Sequence, residues 1–200
     1  MRRTEPRSAM MASVARERIL QAVDDLFYRE GVRAVGVDAV IERAGVNKMS
    51  LYRNFGSKDQ LIAAFLEERN HQYWSWWDSI MRRHEGDARR QLLGLFEELQ
   101  TRVTRKGYRG CPFVNLAAEL SDVGHPARAV IARHKQELRR RLRELGKGAG
   151  AKDPDALSES LTLLVEGAYA SSQTCGAGGP ANSLARTAQV LIDAQCRTKT

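Results

Sequence analysis

Two hundred residues with 42% hydrophobic and 28% charged side chains can bury a core without metal or disulfide support, and are too apolar for a disordered chain. Three cysteines at 111, 175 and 196, with no C-x-x-C pair, argue against a disulfide framework or a zinc site and suit a reducing cytoplasm. The net charge of +8 is shared evenly, with 11 basic against 7 acidic residues up to position 58 and 21 against 17 beyond it, so charge alone does not locate a partner.

Residues 1–12 carry Arg2, Arg3 and Arg7 without the apolar stretch of a secretory signal, and are expected to form a flexible basic arm. Over 13–29, Ile19, Val23, Leu26 and Phe27 recur at helical spacing, predicting an amphipathic helix that ends near Gly31. Two short helices are expected at 37–44 and 48–54, separated by Gly45-Val46-Asn47, where Gly suits a helix C-terminus and Asn an N-cap. Ser57 followed by Gln60 resembles a capping box opening a long helix from Leu61 to about His84. Further helices are expected over 88–104, 112–120, 126–145, 155–174 and 180–196, with Gly or Pro at each join. No run alternates in the manner of a strand, and no apolar stretch approaches the roughly 18 residues that cross a bilayer. The fold class is therefore all-α, with no membrane partner.

The chemistry concentrates between positions 31 and 65. Val37, Val40 and Ile41 should face inward from the first short helix, and Leu51 and Phe55 from the second. That leaves Lys48, Met49, Ser50, Tyr52, Arg53 and Asn54 outside, on an element narrow enough for a major groove. Cations and hydroxyls suit phosphates, whereas Arg, Asn and small groups can read base edges. Lys58 falls in the first turn of the next helix, where exposed N–H groups favour an anion.

Ala44-Gly45-Val46, followed by Ser50-Leu51-Tyr52, Phe55 and Ser57-Lys58, resembles the DNA-binding domain of the TetR family of bacterial transcriptional regulators over about residues 14–65. The resemblance implies a helix-turn-helix domain at 13–60 and a larger helical ligand-binding and dimerisation domain at 61–200. It makes the helix beginning at Lys48 the recognition helix. Lys48, Met49, Ser50 and Arg53 then fall at or beside groove-facing positions, and Tyr52 and Lys58 at phosphate-contacting ones. Three residues depart from the family pattern. Gly36 stands where a Thr or Ser usually caps the first short helix, Ile41 where a small Ala is typical, and Met49 where Gly or Pro is usual. Operator sequence is accordingly not transferable.

The second domain varies too much within the family to match, so its chemistry is read from its residues. Tyr73, Trp74, Trp76 and Trp77 give an aromatic density suited either to a ligand cavity or to plain core. The expected effector-lining residues are Trp74, Trp77, Phe96, Cys111, Phe113, Asn115, Glu119, Glu166 and Tyr169, with Gln173 as a further polar candidate. The run from Arg109 to Glu119 is similar to a segment in a subset of the family that includes regulators responsive to reactive electrophiles. Cys111 precedes Pro112, so its thiol would sit at a helix N-terminus that lowers its pKa; a small packing cysteine is the other reading. Basic residues from Arg133 to Lys147 read either as an anion-binding face or as a solvated helix surface.

His71, His84, His125 and His134 lack metal-ligand spacing, no catalytic signature is present, and neither cofactor nor enzymatic activity is expected. A helical enzyme using Cys111 with His125 or His134 is the remote alternative. Leu161, Leu164, Val165 and Ala168, with Leu184, Ala188, Leu191 and Ile192, suit close helix packing. In TetR-like proteins the last hairpin pairs with its copy, which implies a homodimer on a near-palindromic double-stranded DNA operator, released by a small-molecule effector. Such a protein acts as a cytoplasmic repressor, or alternatively as an activator.

Overall fold

The structure, a computed structural model, describes residues 7–196, with side chains from 13 onward apart from Ala177. The described residues form α1 (Arg7–Glu30), α2 (Val37–Ala44), α3 (Lys48–Phe55), α4 (Lys58–Arg83), α5 (Ala88–Thr104), α6 (Pro112–Glu119), α7 (Pro126–Gly148), α8 (Pro154–Thr174) and α9 (Leu184–Gln195). Short 3₁₀ turns at Gly176–Gly178 and Pro180–Ser183 lead into α9, so the expected last helix starts later than its proline. Pro180 opens a tight turn in which Asn182 donates to the Gly179 carbonyl at 3.1 Å, and a regular helix begins only beyond it. The arm expected over 1–12 is likewise corrected: residues 7–12 belong to α1, and residues 1–6 lie outside the described residues.

The chain divides into two compact units that do not follow chain order. The first runs to Arg69 and takes in Pro112–Ile131; the second comprises Asn70–Cys111 and the chain from Ala132 onward. A boundary near residue 60 was expected, but α4 continues past it. The contacts that bring 112–131 into the first unit join residues some 60 to 90 positions apart, beyond the reach of any local pattern.

In the first unit α1 packs on α2 and α3, burying Ile19, Val23 and Phe27 with Val40, Ala44, Leu51 and Phe55. Phe27 meets Phe65 of α4 edge to face, with ring centroids 5.7 Å apart. Arg69 pairs with Asp24 at 2.6 Å and lies over the rings of Tyr28 and Phe65, so a cation that would be costly to bury is neutralised as it ties α4 to α1. In the second unit α5, α8 and α9 pack together around Leu92, Leu95, Phe96, Leu99, Leu157, Leu161 and Val165. Gln100 of α5 accepts from the Ala185 N–H at 2.9 Å, satisfying a donor that the start of α9 would otherwise leave open.

Candidate functional site

The turn between α2 and α3 is built as its residues dictate. Gly45 closes α2 in the left-handed conformation at φ 60°, and its N–H donates to Glu42 O; a side chain there would be strained. Asn47 caps α3 by accepting from Ser50 N–H at 2.8 Å, and Ser57 caps α4 by accepting from Gln60 N–H at 3.1 Å. Gly36 begins α2 with no side-chain cap bond, the cost its substitution for a hydroxyl residue implies. Val40 and Ala44 are buried, while Val37 and Ile41 are only half-buried. The inward face of α2 is thus rotated toward Ala44 relative to the predicted set.

On α3, Leu51 and Phe55 are buried and the opposite face is open. Met49 is 69% exposed and Tyr52 41%; Lys48 and Arg53 are exposed, and Ser50, Asn54 and Lys58 are half-buried. Lys48 stands 3.4 Å from Asp38 in a solvated pair, which contributes little and leaves the ammonium available. Arg53 Nη2 lies 3.7 Å from Met49 Sδ, so the two side chains form one unit on the open face. Asn54 turns back to donate to Ser50 O at 2.7 Å.

The run from Arg133 to Lys147 resolves toward a solvated helix surface. Arg139 pairs with Glu159, Arg140 and Arg141 with Glu137, Arg141 also with Asp78, and Arg143 with Asp155 and Glu144. Two arginines hold the Glu137 carboxyl down to about 2, the Arg140 hydrogen bond contributing most. Carboxylates within the second unit thus answer most of this charge.

The expected effector residues separate between the units. Phe113, Asn115 and Glu119 belong to the first, and Trp74, Trp77, Phe96, Cys111, Glu166 and Tyr169 to the second. The Glu119 carboxylate accepts from the backbone N–H groups of Val32 and Arg33. Phe113 is buried and Asn115 half-buried. In the second unit Trp77, Phe96 and Tyr169 are buried and Trp74 is half-buried. Gln173 is exposed. Cys111 is 4% exposed and Cys196 6%, whereas Cys175 is exposed; burial of Cys111 favours the packing reading over a reactive thiol.

Several of these residues join in a polar cluster whose pairings no local pattern announces. Glu166 pairs with Lys135, whose ammonium lies 5.6 Å above the Tyr169 ring. Tyr73 and Tyr169 share a hydrogen bond, and burial pushes both phenols up, with the Cys111 thiol adding to each. Arg102 stacks on Trp76 at 5.0 Å and opposes both shifts. A small cleft of about 130 Å³ elsewhere in this unit is lined by Ile80, Arg83, His84, Gly94, Glu97, Glu98 and Thr101, none of them an expected effector residue.

His134 is 2% exposed, packed against Tyr73 and Trp74, with Nδ1 2.9 Å from Asn70 Oδ1. The amide oxygen only accepts, so Nδ1 carries the proton. Burial, reinforced by Lys135, pushes its pKa down to about 3 from 6.5. The unfolded chain therefore takes up a proton that the native one refuses. Stability owed to this residue is complete above about pH 6.5 and falls by about 1.4 kcal/mol per pH unit toward pH 3. Urea unfolding of the protein and of His134→Phe across this range should show that component in the parent alone; parallel pH dependences would contradict it.

Residues 19–65 match the family model for bacterial regulatory proteins of the tetR family, and residues 88–188 match that for the tetracyclin repressor-like C-terminal domain. The transcriptional regulator AcuR of Cereibacter sphaeroides is 29% identical over 196 residues, covering 93% of this chain and 89% of AcuR. The HTH-type transcriptional repressor NemR of Escherichia coli K12 is 26% identical over 117 residues, 58% of this chain and 59% of NemR. A crystal structure of a putative TetR transcriptional regulator from Streptomyces avermitilis superposes with a TM-score of 0.77 at 34% identity, covering 90% of this chain and 97% of that one. These proteins are regulators and not enzymes. A capped helix-turn-helix with an open, cationic second helix, joined to a helical body that matches in its own right, makes this chain a member of the TetR family of bacterial transcriptional regulators.

Proposed function

We propose that the protein is a ligand-responsive repressor that binds a near-palindromic operator as a homodimer in the cytoplasm and is released by a small-molecule effector. The observation that carries this reading is the open face of α3, where Lys48, Met49, Tyr52 and Arg53 stand in solvent above buried Leu51 and Phe55. Lys58 and Tyr52 serve phosphates, Arg53 and Met49 face base edges, and Ser50 lies beside them. Asn54, bonded to its own helix, shapes the face without reaching far from it. The name of the Escherichia coli relative supports repression. Ligand and operator then favour different states of one dimer, so each lowers the affinity for the other by the same factor.

Effector recognition falls to the polar cluster of the second unit, with Tyr169 and Glu166 in it, Cys111 beside it, and Trp74 and Trp77 packed on Tyr73; Phe96, Phe113 and Asn115 are retained as further candidates. An electrophoretic shift on DNA upstream of the protein's own coding region, with and without candidate ligands, tests the whole reading. Lys58→Ala should weaken binding to every sequence and reduce the salt slope by about one unit. Arg53→Ala should instead lose about 1–3 kcal/mol of preference for the operator. A salt slope unchanged in Lys58→Ala removes that residue from the interface.

A further inference from the structure

Residues 112–131 join the first unit from far away in the chain, and they meet it at two places that bracket α2 and α3. At the end of α6 the Glu119 carboxylate accepts from Val32 N–H at 2.9 Å and from Arg33 N–H at 3.3 Å. Gly31 allows this approach: its φ is +86°, and a Cβ there would stand 3.0 Å from both carboxylate oxygens. Just ahead of α7, His125 is buried and accepts the Ala127 N–H on Nδ1 at 3.1 Å. Its proton is therefore on Nε2, which lies 3.4 Å from Asp59 Oδ1 in the first turn of α4. Arg33 lies four residues before α2 begins, and Asp59 four residues after α3 ends.

A carboxylate shared by two main-chain donors makes charge-assisted, directional bonds. Val32 is 1% exposed, so its N–H has no water to turn to once the carboxylate is gone. Base edges are read only when the helix is held in register, whereas attraction to phosphates tolerates misplacement. We propose that Glu119 is a positioning residue for operator reading, holding the turn between α1 and α2 and with it the presentation of α2 and α3. At the far end of the two helices His125 only lies near Asp59 of α4, at 3.4 Å, so the holding contact is that of Glu119. This inference rests on the operator-binding reading above.

The test uses the full chain, a duplex selected by the wild type from a random pool, and poly(dI-dC) as the non-specific probe, all at one salt concentration. Glu119→Ala is expected to bind the selected duplex at least about tenfold more weakly, with affinity for poly(dI-dC) held within about twofold. Glu119→Gln, which keeps an acceptor oxygen, should recover most of the loss. Equal falls on both DNAs, or an unchanged affinity for the selected duplex, overturn the proposal. If Glu119→Ala does not fold, Glu119→Asp withdraws the carboxylate by one methylene and is read by the same two affinities. A wild type that selects no duplex refutes operator binding itself, whereas selection by the wild type with equal binding by the variants refutes only the role of Glu119.

Discussion

Trp77→Ala is expected to lower the stability of the fold by about 3–5 kcal/mol, a large part of what holds a domain of this size together. Trp77 is 2% exposed, and its ring lies 5.7 Å from that of Trp74 and 6.5 Å from that of Tyr73. Arg141 covers the same group, 4.3 Å from the Trp74 ring and 6.0 Å from that of Trp77. Truncation removes the apolar area and leaves a cavity under a guanidinium whose packing depends on the indoles. Urea unfolding at neutral pH measures the loss, and Trp76→Ala serves as the comparison. Trp76 is only half-buried, so its truncation should cost much less. A loss below about 1 kcal/mol at Trp77 would show a site that collapses around the deletion.

The second large effect concerns assembly. The residues expected to suit close helix packing do pack within the single chain: Leu161, Val165 and Ala168 of α8 and Leu184, Ala188 and Ile192 of α9 are buried, and Leu164 and Leu191 are half-buried. What α8 and α9 leave open is a different face, with Leu163 73% and Val190 63% exposed and Gly167 open to space, a Cβ there meeting nothing within 4 Å. Small and apolar residues at 163, 167 and 170 recur at helical spacing along α8, the composition a second copy of the same hairpin requires. On the homodimer proposed above, Leu163→Glu combined with Val190→Glu is expected to give a monomer. Operator affinity should then fall by about 10²–10⁴, the gain from linking two reading heads. Sedimentation and an electrophoretic shift on one sample check both halves. A double variant that remains dimeric would place the interface elsewhere.

The helices themselves were legible because their signals are local. Gly45, Asn47 and Ser57 act within four residues of their own positions, and the spacing of Leu51 and Phe55 decides which side of α3 is inward wherever the helix is placed. For the same reason the open face of α3 could be named in advance: it is what remains of a short helix once its apolar side is covered. The interior of the second unit offered no such route. Trp74, Trp77, Phe96 and Tyr169 were visible as aromatic and apolar positions, but a helical stripe marks a buried side without saying what it is buried against.

Fold class, helix order, caps and the exposed side chains of α3 thus followed from the order of the residues, through interactions spanning one helical turn. Tertiary structure alone decided that Glu119 meets the backbone 86 and 87 residues away, that His134 bonds Asn70 across 64, and that Lys135 pairs with Glu166 across 31. It also left Leu163 and Val190 outside the core of the last hairpin. The basic run of α7 shows the division within one helix: the bonds of Glu137 to Arg140 and Arg141 lie within one turn, whereas Arg139 and Arg143 find carboxylates on α8. Periodicity specifies a direction around a helix axis, and only the packing of one helix on another determines what lies in that direction.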